Sequence, residues 1–190
     1  VLYIVIPCYK EQEVLHETAS RLQKKMEMLI LGGTISPKSR VLFVNDGSTD
    51  NTWQIISDLH KENPLFSGVN LSRNRGHQNA LLAGLMIAKE KADMVISMDA
   101  DLQDSPDEIP ELYRMITEDG YDLVSGYKQK RYDPLSKTIP TKLFNATARK
   151  VSGIHNLHDF NCGLKAYRNE VVKNIEVYGE MHRYIPYLAK

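Results

Sequence analysis

Apolar and polar positions alternate between two periods from the first residue of this chain to Ser125. Val1-Leu-Tyr-Ile-Val-Ile6 is an unbroken β-prone run closed by Pro7, as expected of a strand buried on both faces of a parallel sheet. From Glu11 to about Leu31 the apolar residues Val14, Leu15, Ala19, Leu22, Met26, Leu29 and Ile30 recur at helical spacing, and Gly32-Gly33 supplies the stop. The pattern repeats, with strands expected over Arg40–Val44, Ser67–Leu71, Met94–Met98 and Leu123–Ser125, and helices over Asn51–Lys61, Gly76–Lys89 and Pro106–Thr117. Such alternation predicts a doubly wound α/β sheet whose ligand crevice lies outside the carboxyl ends of the strands. After Ser125 the rhythm breaks. A basic loop, Lys128–Pro134, leads into a helix from about Pro140 to Val151, then a polar segment His155–Asn161, a short apolar stretch Gly163–Tyr167 and a helix from about Asn169.

With 190 residues, 42% hydrophobic and 25% charged, the chain suits one compact domain. Lys plus Arg and Asp plus Glu each number 24, so no bulk charge favours nucleic acid or anionic lipid, and any phosphate binding must be local. Cys8 and Cys162 form no CxxC pair, which indicates neither a zinc site nor a disulfide framework and favours a reducing compartment. There is no secretory signal and no apolar run of about 18 residues. Because the chain opens inside a strand and ends without a stop signal, it is expected to be a soluble piece of a longer, membrane-associated protein whose flanks could hold a membrane anchor.

The polar clusters fall at the expected strand ends. Val95-Ile-Ser-Met-Asp99-Ala-Asp101-Leu-Gln103 stops an apolar run with carboxylates spaced one apart, and on an extended backbone Asp99, Asp101 and Gln103 share one face. They could offer oxygen ligands to Mg²⁺ or Mn²⁺, with Asp101 the first choice; the plainer reading is surface carboxylates at a polar strand end with Asp104 or Ser105 capping the next helix, Asp104 preferred because Pro106 follows near N1. Tyr9 offers a stacking face and Asp46 an acceptor for a ring N–H, so both suit a nucleobase; alternatively Asp46-Gly47-Ser48 and Asp50 are a turn followed by an N-cap. Arg73-Asn74-Arg75-Gly76-His77-Gln78 opens a helix where Arg75 and helix N–H groups could meet a diphosphate, or forms a solvated basic turn. His155, His158 and His182 have no metal-ligand spacing, and core filling is expected of most of Met26, Met28, Met86, Met94 and Met98.

Taken together, Val5-Ile6-Pro7-Cys8-Tyr9-Lys10-Glu11, Val44-Asn45-Asp46-Gly47-Ser48-Thr49-Asp50, Asn74-Arg75-Gly76-His77-Gln78 and Met98-Asp99-Ala100-Asp101-Leu102-Gln103-Asp104 resemble glycosyltransferase family 2. The resemblance implies the nucleotide-sugar-binding GT-A fold, with a mixed, mainly parallel sheet and helices on both faces. Ser125-Gly126-Tyr127-Lys128, Arg131-Tyr132-Asp133-Pro134, Asp159-Phe160-Asn161-Cys162-Gly163-Leu164 and Gly179-Glu180-Met181-His182-Arg183-Tyr184 are most similar to the polyprenyl-phosphate hexose synthases. By that resemblance Pro7, Tyr9, Glu11, Val44 and Asp46 would hold the nucleoside, Asp99 and Ala100 the sugar diphosphate, and Asp101 with Gln103 the divalent metal. Residues 1–190 would form a single catalytic domain, with a nucleotide-sugar half over about 1–104 and an acceptor half over about 105–190.

Three residues depart from the family pattern. Lys10 stands where Asn is usual, Asn45 where an Asp is common, and Lys128 where an Arg often follows. A lysine is a point charge where arginine is a bidentate fork, so Arg131 becomes the preferred acceptor-phosphate ligand, assisted by Lys128, with Arg183 a further candidate.

The expected reaction is a metal-dependent, inverting transfer of a hexose from a nucleoside diphosphate sugar to a polyprenyl (undecaprenyl or dolichyl) phosphate. UDP is favoured over GDP, and glucose over mannose. Asp101 counts as catalytic through the metal. Asp159 matches the carboxylate often proposed as base, although an acceptor phosphate is already ionised near neutral pH, so Asp159 acts as base or orienter, or is a loop Asx turn. The stretch His182–Leu188 mixes a cation, aromatics and aliphatics, as expected at a bilayer interface, here the cytoplasmic leaflet. The competing readings are transfer to a saccharide hydroxyl and a nucleotide-sugar-binding module without turnover. A homo-oligomer is compatible with either. A P-loop is absent, and a DxD phosphatase would carry its pair after the first strand.

Overall fold

A computed structural model describes residues 1–126 and 162–174. Its elements are β1 (Leu2–Cys8), α1 (Leu15–Leu31), β2 (Arg40–Asn45), α2 (Thr52–Glu62), β3 (Phe66–Asn70), α3 (His77–Ala88), β4 (Met94–Ser97), a 3-10 turn (Pro106–Glu108) running into α4 (Ile109–Thr117), β5 (Leu123–Ser125), β6 (Lys165–Arg168) and α5 (Asn169–Asn174). Six strands form one sheet in the order β3-β2-β1-β4-β6-β5. The pairs β3-β2, β2-β1 and β1-β4 are parallel, whereas β6 runs antiparallel to β4 and β5. The expected doubly wound, mainly parallel sheet is therefore present.

The unbroken apolar runs are explained by two helix layers. Leu2, Ile4, Ile6 and Cys8 point to one face, where they pack with Leu15, Leu22 and Met26 of α1, Ile56 of α2, and Ile109 and Leu112 of α4. Tyr3 and Val5 point to the other, against Ala80, Leu85 and Ala88 of α3 and Val171 and Val172 of α5. Met26, Met94 and Met98 lie in the core as expected, whereas Met28 and Met86 are half exposed on α1 and α3.

Most boundaries lie within one residue of the sequence pattern, and three segments depart from it further. Strand β1 does not stop before Pro7 but continues to Cys8, with Pro7 opposite Val44 and Cys8 opposite Asn45. The Cys8 carbonyl accepts from the Asp46 N–H at 2.8 Å, so the next residue back turns its nitrogen away from β2, toward β4, whose ladder has ended at the Val5–Ser97 pair. The missing proline N–H thus breaks no bond. Helix α1 begins at Leu15 rather than Glu11, because the Glu11 carbonyl first closes a turn with the N–H groups of Val14 and Leu15. The apolar stretch Gly163–Tyr167 overlaps an antiparallel strand, β6, which begins at Lys165, ends at Arg168 and is too short for a clear period.

Where the sheet begins, the Leu2 N–H donates to the fully buried Ser39 hydroxyl at 2.9 Å. Ser39→Ala would leave that donor without a partner in a site closed to water, so it should cost about 1–3 kcal/mol. Urea unfolding with an unchanged slope and a lower midpoint is the expected result.

Candidate active site

The loops leaving β1, β2, β3 and β4 share one edge of the sheet, and each is tied to its neighbour. After β1, Tyr9 is 42% exposed and Lys10 places its ammonium 5.5 Å from the Tyr9 ring centroid. Lys10 has φ +59°, a left-handed conformation that Asn tolerates better than Lys, and its N–H donates to Ser48 Oγ at 3.0 Å. The Glu11 N–H donates to Thr52 Oγ1 at 2.9 Å, so the first loop hangs from the second. Pro7 and Val44 are buried register partners beneath these loops.

Asp46 is 1% exposed, and its two oxygens accept from the backbone N–H groups of Arg75 (2.7 Å) and Gly76 (2.9 Å). These bonds clamp the loop after β3 against the end of β2. Gly47, at φ +63°, completes the clamp: a side chain there would stand 2.3 Å from the Arg73 carbonyl carbon. Arg75 is thereby fixed by its backbone with its side chain exposed. Asn45, in the position where the resemblance leads one to look for Asp, donates to Asn70 Oδ1 at 2.7 Å. Asp50 accepts from the Thr52 N–H at 3.1 Å just before α2, but the N-cap position is Asn51, whose side chain makes no capping bond.

The loop after β4 does not keep the extended backbone that would line up Asp99, Asp101 and Gln103. Leu102 turns left-handed at φ +62°, and Asp101 Oδ1 accepts from the Gln103 N–H at 3.1 Å, an Asx turn that competes with extension. Asp101 and Gln103 are exposed, whereas Ala100 is buried with its carbonyl accepting from Thr18 Oγ1 of α1 at 2.8 Å. Asp104 is not the helix cap. It is buried, with Oδ2 3.5 Å from the Asp99 N–H, and Ser105 caps the 3-10 turn by accepting from the Asp107 N–H at 3.2 Å. The sequence reading also passed over His77, whose Nε2 lies 3.5 Å from Asp99 Oδ1; the run of residues around it was noted, but nothing in the spacing singled it out.

Charge is crowded at this edge. Burial first, and then the carboxylates of Asp101, Asp99 and Asp50, push the Glu11 carboxyl above its usual range. Oxygen donors on three loops around a strained negative charge fit a hard divalent cation. Among the described residues no three His, Cys, Asp or Glu side chains form a ready-made cage. Lys128, Arg131, Asp159 and Arg183, and the helix expected over residues 140–151, lie outside the described residues.

The family model for Glycosyl transferase family 2 matches residues 3–176. The undecaprenyl-phosphate 4-deoxy-4-formamido-L-arabinose transferase of Aeromonas hydrophila subsp. hydrophila is 35% identical over 187 residues, covering 98% of this chain and 54% of that protein. The chain thus spans about half the length of the curated relatives it matches. The glucosyl-3-phosphoglycerate synthase of Mycobacterium tuberculosis, solved with Mn²⁺ and uridine-diphosphate-glucose, aligns with a TM-score of 0.66 at 18% identity, covering 92% of this chain and 58% of that one. A mannosyltransferase from Pyrobaculum calidifontis, solved with GDP-Man and Mn²⁺, aligns with a TM-score of 0.61 at 18% identity, covering 94% and 47%.

The Glu11 shift sets the sign of a pH effect. A carboxyl whose folded pKa is raised contributes stability below its unfolded value, here the ordinary 4.5, and loses it as pH rises through the folded value. Glu11→Gln should therefore melt at a higher temperature than the parent protein at pH 7, with the difference disappearing below about pH 4.5. Equal melting temperatures at pH 7 would contradict the crowding.

Proposed function

Because this chain belongs to glycosyl transferase family 2 and its sheet has the GT-A architecture, we propose that it forms the donor-binding and catalytic part of an inverting sugar transferase acting on a polyprenyl phosphate. The carrying observation is the convergence of Glu11, Asp99 and Asp101 beside the loops that end β1, β2 and β3. A hexose is taken from a nucleoside diphosphate sugar, with a UDP-hexose as the donor to test first. The two structural neighbours carry different bases, uridine in one and guanosine in the other, so the fold by itself does not choose.

In this reading Tyr9 stacks on the base, and Asp46 keeps the Arg73–Gly76 loop in place so that Arg75 faces the diphosphate. Asp101, with Gln103 and Asp99, would hold Mg²⁺ or Mn²⁺. When bound, the cation supplies Lewis-acid neutralisation of the charge that grows on the departing diphosphate. Asp99 and Ala100 border the sugar diphosphate. An acceptor phosphate is ionised near neutral pH and attacks the anomeric carbon without surrendering a proton, so Asp159 serves as orienter, or as base where the acceptor is a hydroxyl. Arg131, with Lys128 and Arg183, neutralises the acceptor phosphate. No helix among the described residues is long and apolar enough to cross a membrane. In this reading the His182–Leu188 stretch meets the cytoplasmic leaflet.

Thermal-shift screening against UDP-, GDP- and dTDP-sugars with and without Mn²⁺ tests the donor reading. Asp101→Ala should abolish the Mn²⁺-dependent shift and lower transfer on the order of a hundredfold or more. Donor affinity and turnover at parental levels would overturn the metal reading, and no turnover of a labelled donor by the parent protein would favour a binding module.

Arg131→Ala separates the two acceptor classes. It should remove transfer to polyprenyl phosphate while leaving Mn²⁺-dependent nucleotide binding within about twofold, an effect of under about 0.5 kcal/mol. Transfer to a saccharide hydroxyl, unaffected by the substitution, would replace the polyprenyl-phosphate reading.

A further inference from the structure

The turn that enters β6, Cys162-Gly163-Leu164, is fixed by three hydrogen bonds. Ser97 Oγ donates to the Gly163 carbonyl at 2.9 Å, the Gly126 N–H donates to the Leu164 carbonyl at 2.8 Å, and the buried Lys165 ammonium donates to the Cys162 carbonyl. Ser97 lies two residues before Asp99, so the turn and the Asp99 carboxylate share one frame. A Cβ at Gly163 would stand 2.3 Å from Asp99 Oδ2, 2.6 Å from its Cγ and 2.8 Å from Oδ1. Gly163 is not among the glycines with positive φ. Its lack of a side chain therefore answers a need for space and not for backbone conformation. The three nearest atoms that a methyl would meet all belong to one carboxylate, so the group forced to yield is the short, rotatable Asp99 side chain and not the packed core.

We propose that Gly163 is a positioning residue for the transfer reaction. Its bare Cα, held by Ser97, is the stop against which the Asp99 carboxylate sets its direction toward the donor diphosphate. The proposal rests on the reading of Asp99 as a donor-binding group. Any side chain at 163 keeps the sheet but re-aims Asp99, and a misplacement of about 1 Å in such a group lowers rates on the order of a hundredfold.

A double-mutant cycle tests this in the full-length protein. Mn²⁺-dependent binding of UDP and of GDP is measured by calorimetry for the parent, Gly163→Ala, Asp99→Ala and the double variant, with the melting temperature of each. In the parent background Gly163→Ala should weaken binding of the preferred nucleotide on the order of tenfold and lower the melting temperature. In the Asp99→Ala background, where the carboxylate is gone, it should change binding less than about twofold and leave the melting temperature where it was. Equal losses in both backgrounds, or parental binding by Gly163→Ala, would overturn the role of Gly163. Parental binding by Asp99→Ala would instead remove the donor-binding reading of Asp99, and the proposal with it.

Discussion

A strand covered by helices on both faces has no place for a charged side chain except beyond its end. Strands β1, β2 and β4 are buried along their lengths, and desolvating an unpaired carboxylate there would cost several kcal/mol. Polar chemistry is thereby swept to the edge where the parallel strands stop. The same constraint explains why that edge is crowded: acidic residues from three separate turns arrive at one place because each turn is the first point at which its strand meets water.

Crowding of this kind needs rigid loops, and backbone bonds supply the rigidity. The two oxygens of Asp46 receive two successive N–H groups of the neighbouring loop, an arrangement that satisfies a buried carboxylate while holding that loop in place. Gly47 lets the two backbones touch, and Thr18 reaches from α1 to hold the Ala100 carbonyl. The exposed side chains of Tyr9, Arg75 and Asp101, which we propose meet the ligands, project from a platform that the buried residues have already set.

Much of this was legible in the sequence because two-sided burial writes itself as unbroken apolar runs, as in β1, β2 and β4, whereas the half-exposed β3 shows only as a short segment between two helical patterns. What failed to show had local causes. Pro7 reads as a terminator unless one knows that its nitrogen faces the side where the neighbouring strand has ended. The Asp99–Gln103 segment reads as extended, yet the Asp101 carboxylate prefers its own backbone two residues on, and Leu102 turns left-handed in consequence. Ser105 and Asp104 are equally good caps on paper, and only burial of the second against the Asp99 N–H separates their roles. Strand β6 was invisible because a four-residue segment with cations at both ends has no period to detect.

The antiparallel direction of β6 brings its first residues back to the edge that β5 leaves. Gly126 and Leu164 are joined by a backbone bond although 38 positions separate them in the chain. Closing a segment whose feet already touch costs little more as it lengthens, since loop entropy grows only with the logarithm of length. Because that bond ties the two described ends together, a recombinant that replaces residues 127–161 between these feet is expected to keep the pairing of β5 with β6.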